Sequence, residues 1–246
     1  RQPPLQVGLA EIEITPPVGY RMDGYFAERL STGIKDPLKA KALVFQQGTT
    51  KTALIVTDLL GVPRSLTSEV RALAAARTGI PAGNIAITAT HTHTGPLFSG
   101  ERARVFSEQA AAKLGKDPLA EVRYPETLTA RLVDVLVEAA AQVSPATMTF
   151  TQAREDRVSF NRRFHMKDGT VRFNPGVRNP DIVRAAGPID PDLPFLLFSK
   201  QDKPVGSLAV FALHLDTTGG TEYPADYRGH LADELRREFG ADFLSL

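Results

Sequence analysis

This chain of 246 residues contains no cysteine. A disulfide framework is therefore excluded, and so are a thiolate metal ligand and a cysteine nucleophile, so any metal must be held by histidine, carboxylate, tyrosine or water. An excess of either charge is missing too. The 29 basic and 28 acidic residues leave a net charge of +1, without a run of like charge. That removes the electrostatic footprint of nucleic-acid binding, and no nucleic-acid partner is expected. Long apolar runs are also absent. Stretches such as Ala53-Leu54-Ile55-Val56 fall far short of the roughly 20 residues that span a bilayer, so no integral membrane segment is expected. A Gly-x-Ser-x-Gly elbow, a P-loop and a Gly-x-Gly-x-x-Gly fingerprint are missing as well, which leaves serine-hydrolase, nucleotide and dinucleotide readings without support.

What is present is enough apolar material, 42% of the residues, to bury one large core. A single domain over residues 1–246 is the expectation. Leu5 to Ile14 reads as a strand, stopped at Thr15-Pro16-Pro17 because proline removes a ladder donor and restricts its predecessor. Residues 40–47 and 52–57 read as a hairpin about Gly48-Thr49-Thr50. Residues 65–77 follow as a helix with a Leu66, Val70, Leu73 and Ala74 stripe and Gly79 at its stop, then residues 84–90 as a strand. Residues 99–116 suggest a polar helical excursion, and residues 127–143 a stronger helix on Leu128, Leu132, Val135, Leu136 and Ala139. Beyond a strand at 147–153, residues 154–194 are rich in Arg, Asn, Asp, Gly and Pro and predict loop with short strands. A strand pair at 195–198 and 206–213, an amphipathic helix at 229–239 and the opening of another strand at 240–246 complete the pattern. The order of strands and helices predicts an α/β fold with mixed β-sheets layered against α-helices.

The chemistry gathers in Thr88-Ala89-Thr90-His91-Thr92-His93-Thr94-Gly95-Pro96, where two of the five histidines stand two apart after an apolar strand. If that strand continues, His91 and His93 share the face of Ile85, Ile87 and Ala89. His214 closes a second such run, with the parity of Leu208, Val210 and Ala212. Neutral imidazole is the commonest nitrogen ligand of zinc, and catalytic zinc sites take about three protein ligands plus water. Were His91 and His214 both ligands, their nitrogens would converge on a point about 2.0–2.1 Å from each.

These motifs, together with Val7-Gly8-Leu9-Ala10-Glu11-Ile12-Glu13-Ile14-Thr15-Pro16-Pro17, Met22-Asp23-Gly24-Tyr25, residues 33–42, Ile55-Val56-Thr57-Asp58-Leu59, Asn161-Arg162, Phe211-Ala212-Leu213-His214 and Ala225-Asp226-Tyr227-Arg228-Gly229, resemble the N-terminal catalytic region of the neutral/alkaline (non-lysosomal) ceramidase family. The resemblance runs in order over nearly the whole chain. It implies a zinc-dependent amidohydrolase that cleaves the amide of an N-acyl lipid such as ceramide to sphingosine and fatty acid. His91 and His214 match the family's zinc-binding histidines, His93 matches the second histidine of the same motif, and Arg162 matches an active-site arginine. His93 is expected to act as a ligand or as an acid/base beside the metal, and Arg162 to stabilise the developing oxyanion.

Asp226 matches the acidic residue after the second histidine motif and could equally be a helix-start acid; Asp58 could orient a zinc histidine or cap a turn. His165 and His230 match no motif, and His230 is expected at the surface. The resemblance also implies that family members continue past Leu246 and there supply a Glu and a Tyr ligand, so the expected unit is a C-terminally truncated catalytic domain. The opening Arg1-Gln2-Pro3-Pro4 fits a mature chain whose export segment is gone, hence a secreted or periplasmic protein with peripheral membrane contact at most. Two alternatives stay open: a zinc hydrolase of another amide or ester, and a non-catalytic lipid or glycan binder.

Overall fold

The structure is a computed structural model, and it describes residues 3–246. Strand β1 (Leu5–Glu13) leads through the short β2 (Arg21–Met22), β3 (Arg29–Leu30) and β4 (Gly33–Ile34) to the long pair β5 (Lys39–Gln47) and β6 (Thr50–Thr57). Helix α1 (Arg64–Thr78), β7 (Ile85–Ala89), α2 (Gly100–Leu114) and α3 (Tyr124–Ala141) follow. The second half holds β8 (Ser144–Pro145), β9 (Thr147–Arg154), β10 (Arg163–Met166), β11 (Val171–Phe173) and β12 (Ile182–Ala185). It ends with β13 (Asp192–Lys200), β14 (Lys203–Ala209), β15 (Glu222–Tyr223), α4 (Asp226–Phe239) and β16 (Leu244–Ser245).

Two sheets dominate. The first runs β7-β6-β5-β1-β8 and the second β16-β14-β13-β9. In the first sheet alternation sorts the side chains: Ala10, Ala40, Ala42, Val44 and Ile55 face α1 and α3, whereas Val7, Leu9 and Leu43 face Phe198 and Leu244 of the second sheet. The first sheet is thus apolar on both faces, which explains the unbroken burial of Val7 to Ala10. The layers are helices, sheet and sheet, the α/β architecture that the sequence pattern predicts. Helix α3 lies directly on β1, where a Cβ at Gly8 would fall 1.9 Å from the Ala139 carbonyl oxygen. Any side chain there would push the helix off the sheet. The Tyr124 hydroxyl reinforces the contact by donating to the Ile14 carbonyl at 2.6 Å.

The predicted α3 stripe is fully buried, each leucine contributing about 1.5–3 kcal/mol by leaving water. In α1 the stripe is narrower than expected, because Leu73 is left 47% exposed while Leu66, Val70 and Ala74 are buried. Gly79 ends that helix in the left-handed conformation, its N–H capping Ala75. Helix α1 is the crossover between β6 and β7, which pair in parallel with Thr57 opposite Ala89. Their carboxyl ends therefore lie side by side, where open α/β sheets place their ligands.

Candidate metal centre

At that end the chain departs from the strand. The Thr90 N–H still donates to Thr57, at 2.9 Å, but His91 takes φ 66° and turns its own N–H to Leu59. The strand expected over residues 84–90 ends at Ala89, so the condition for a shared face is not met and His91 does not simply extend the face of Ile85 and Ile87. Alternation resumes after the turn. Thr92 and Thr94 are buried with their hydroxyls 3.1 Å apart, and His91 and His93 point away from that packed side. The second histidine run is also shorter than expected, because β14 stops at Ala209 and His214 stands in a loop. The loops are joined where the His93 N–H donates to the Leu215 carbonyl at 3.1 Å.

This arrangement brings His91, His93 and His214 together, each offering a ring nitrogen within 4.8 Å of the others. Ring centroids are 5.0 Å apart for His91 and His93, 5.3 Å for His91 and His214, and 4.5 Å for His93 and His214. The Nε2 atoms of His91 and His93 are 3.4 Å apart. Two nitrogens on one tetrahedral zinc stand about 3.4 Å apart at bond lengths of 2.0–2.1 Å. The His91 Nδ1 lies 2.8 Å from the Leu60 carbonyl, which can only accept, so neutral His91 carries its proton on Nδ1 and keeps the Nε2 lone pair for the cluster. Three neutral imidazoles around one point are a donor set that fits zinc.

For His93 and His214 the surroundings favour that neutral form. Burial, first of all, lowers the pKa of His93; Asp216 opposes the shift and His91 adds to it. Burial likewise lowers the pKa of His214, followed by the positive charge of Arg162 and by His93. Arg162 thus lies close enough to His214 to act on it electrostatically, and its guanidinium is stacked 5.1 Å from the Phe173 ring centroid. It makes no salt bridge among the described residues. Asp216 and Tyr25, which the sequence reading did not single out, back His93. The Asp216 carboxylate approaches the His93 Nδ1 to 3.7 Å and accepts from the Tyr25 hydroxyl at 2.6 Å.

The other acids serve the scaffold. Asp58 pairs with Arg228, accepts from the Lys39 N–H at 2.9 Å and lies 3.5 Å from the Thr90 hydroxyl, so it fixes the strand end rather than an imidazole. Asp226, buried at the start of α4, accepts from the Thr217 and Thr218 N–H groups, both at 3.0 Å, and from the Thr217 hydroxyl. It shapes the loop that follows His214. His165 is half-buried in β10, and His230 is exposed on α4 as expected. Helix α2 reaches this region through Arg102, which donates to Asp23 at 2.6 Å and to the Tyr25 carbonyl at 2.8 Å. A cavity of about 720 Å³ between the two large sheets is walled by Leu54, Val56, Leu208 and Phe211; none of the three histidines lines it, and it approaches them only through Thr90 and Leu213, the chain neighbours of His91 and His214.

Layered mixed sheets with a three-histidine cluster beyond the carboxyl end of a parallel strand pair define an α/β scaffold with a candidate metal site. Solved structures share that scaffold. The neutral ceramidase of Pseudomonas aeruginosa superposes with a TM-score of 0.72 at 20% identity, covering 98% of this chain and 38% of its own length. A ceramidase complexed with C2 gives 0.66 at 21% identity, over 98% of this chain and 37% of its own. The likeness establishes a ceramidase-like fold, and this chain spans well under two-thirds of either neighbour. Neither protein-family models nor curated protein sequences give a match.

Proposed function

We propose that residues 1–246 are the catalytic domain of a zinc-dependent amidohydrolase that cleaves the amide of an N-acyl lipid such as ceramide into sphingosine and fatty acid. The observation that carries this reading is the convergence of His91, His93 and His214, on a fold shared with ceramidases. His91 and His214 would hold the metal through neutral ring nitrogens. Zinc held there supplies a Lewis acid and lowers the pKa of water towards about 7. His93 stands within reach of the same point, to complete the donor set or to carry a proton between water and the leaving amine. Arg162, always charged, offers its fork of donors to the negative charge that develops on the carbonyl oxygen.

A lipid substrate draws its support from the apolar cavity bordered by Thr90 and Leu213, whose walls would suit an acyl chain leading to the histidines, although no histidine lines it. On this reading the protein acts outside the cytoplasm, secreted or periplasmic, and meets membranes only peripherally. No helix among the described residues is long and apolar enough to cross one.

The test is fatty-acid release from ceramide by the purified chain. Activity that a chelator removes, zinc restores and His91→Ala abolishes is the expected result. Turnover of short soluble amides or esters alone would move the substrate to that class. Stoichiometric lipid or glycan binding without metal or turnover would make the chain a binder, and activity indifferent to chelation and to His91→Ala would refute the mechanism.

A further inference from the structure

The Nδ1 atom of His93 is buried and has no hydrogen-bond partner of good geometry, although the Gly24 backbone acts on the ring as a weak acceptor. A buried donor or acceptor left unpaired is destabilising, so a nearby group must compensate it. Asp216 Oδ2, at 3.7 Å, is the acidic oxygen facing this nitrogen. The neighbouring carboxylates are committed elsewhere: Asp58 to Arg228 and the Lys39 N–H, Asp226 to the Thr217 and Thr218 N–H groups, and Asp23 to Arg102 and the Gly24 N–H.

Asp216 is itself held in place. Its other oxygen accepts from the Tyr25 hydroxyl at 2.6 Å, across 191 residues of sequence. The Tyr25 ring stands edge-on to His93, with centroids 5.7 Å apart and an interplanar angle of 87°. The Arg29 guanidinium covers the Tyr25 ring at 4.1 Å and donates to the His93 carbonyl at 2.7 Å. The β2–β3 hairpin therefore grips His93 by its backbone through Arg29 of β3 and, through Tyr25 of the turn, sets the carboxylate behind its ring.

We infer that Asp216 is a positioning residue that fixes His93 with its proton on Nδ1 and its Nε2 lone pair turned to the point shared with His91 and His214, and that Tyr25 holds Asp216 in that position. An ionised carboxylate only accepts hydrogen bonds, so its negative charge at 3.7 Å favours the Nδ1–H tautomer over the Nε2–H one. The Leu60 carbonyl does the same for His91 at 2.8 Å. The consequence for zinc rests on the metal reading above; the tautomer does not.

Two measurements separate these parts. In the metal-free protein, long-range 1H–15N spectra of the histidine rings should show His93 as the Nδ1–H tautomer in the unaltered chain. Asp216→Asn should remove that preference and leave His91 unchanged, and Tyr25→Phe should weaken it while the carboxylate remains. In chelator competition, Asp216→Asn should weaken zinc binding about 10- to 100-fold and Tyr25→Phe less, with Asp216→Glu recovering part of the loss. An Nε2–H tautomer at His93 in the unaltered chain, a spectrum unchanged by Asp216→Asn, or zinc affinity within two-fold of the unaltered chain in folded Asp216→Asn would each overturn the assignment. A chain with the expected tautomers that binds no zinc would instead overturn the metal reading.

Discussion

The backbone N–H of His93 donates to the carbonyl oxygen of Leu215, joining the two loops that carry the metal-site histidines. The loops come from different sheets, and this bond ties the register of His93 to that of His214. Gly24 sits against the same stretch of backbone. At φ 102°, a Cβ there would fall 2.4 Å from the His93 carbonyl oxygen. Gly24→Ala should therefore cost about 1–3 kcal/mol from backbone strain and weaken zinc binding as His93 is displaced. Denaturant midpoints and chelator competition, measured together, check this; an unchanged zinc affinity would mean that the loop absorbs the clash.

Asp226 makes a separable prediction. Its carboxylate satisfies two loop N–H groups and a hydroxyl while buried at the start of α4. Asp226→Ala should destabilise the chain by about 2–4 kcal/mol, because those donors lose an ionised partner, and Asp226→Asn should cost less since its amide oxygen still accepts. The folded fraction of Asp226→Asn should keep full zinc stoichiometry, measured by elemental analysis. Loss of zinc from a folded Asp226→Asn protein would show that the residue acts on the metal.

Lys41 gives the fold a pH signature. Burial, with Arg228 adding to it, lowers its pKa from 10.5 to about 8, while Asp58 and Glu11 oppose the shift. Its ammonium donates to the Ser245 carbonyl. Between those two values the unfolded chain binds more protons than the folded one, so stability rises with pH. Chemical denaturation should show a gain of about 1 kcal/mol between pH 8 and 9, a window in which unfolded tyrosines are still largely protonated. Lys41→Met should abolish that slope; identical slopes in the two proteins would remove Lys41 as its cause.

The histidine set was legible because chemistry-bearing residues stood at the ends of apolar runs, and the helices because Leu128, Leu132 and Leu136 keep one period. The conformation between strand end and metal site was not legible. Nothing local in Ala89-Thr90-His91 announces a left-handed histidine; that turn follows from bonds to Thr57 and Leu59 on the neighbouring strand. The strand pattern through Val210, Ala212 and His214 misled for a similar reason, since β14 ends at Ala209. Tyr25 lay within a quoted motif and Asp216 two residues past His214, yet only the fold joins them. Asp58 looked equally suited to orienting a histidine, and the structure commits it to Arg228.

Arg162 separates binding from turnover. If it stabilises charge on the carbonyl oxygen, Arg162→Met should lower kcat by about 10²–10³ and leave zinc affinity unchanged. Arg162→Lys should restore little, because a point charge does not reproduce the planar fork. Steady-state kinetics beside zinc titration distinguish this from a purely structural role, which would reduce both through loss of folded protein.

Zinc titration of the purified chain, with X-ray absorption at the metal edge, decides whether His91 and His214 hold a metal. One zinc per chain is expected, with nitrogen ligands at about 2.0–2.1 Å and an imidazole scattering pattern, lost in His91→Ala and in His214→Ala. A chain that binds no zinc, or one whose bound zinc is indifferent to both substitutions, would contradict that assignment.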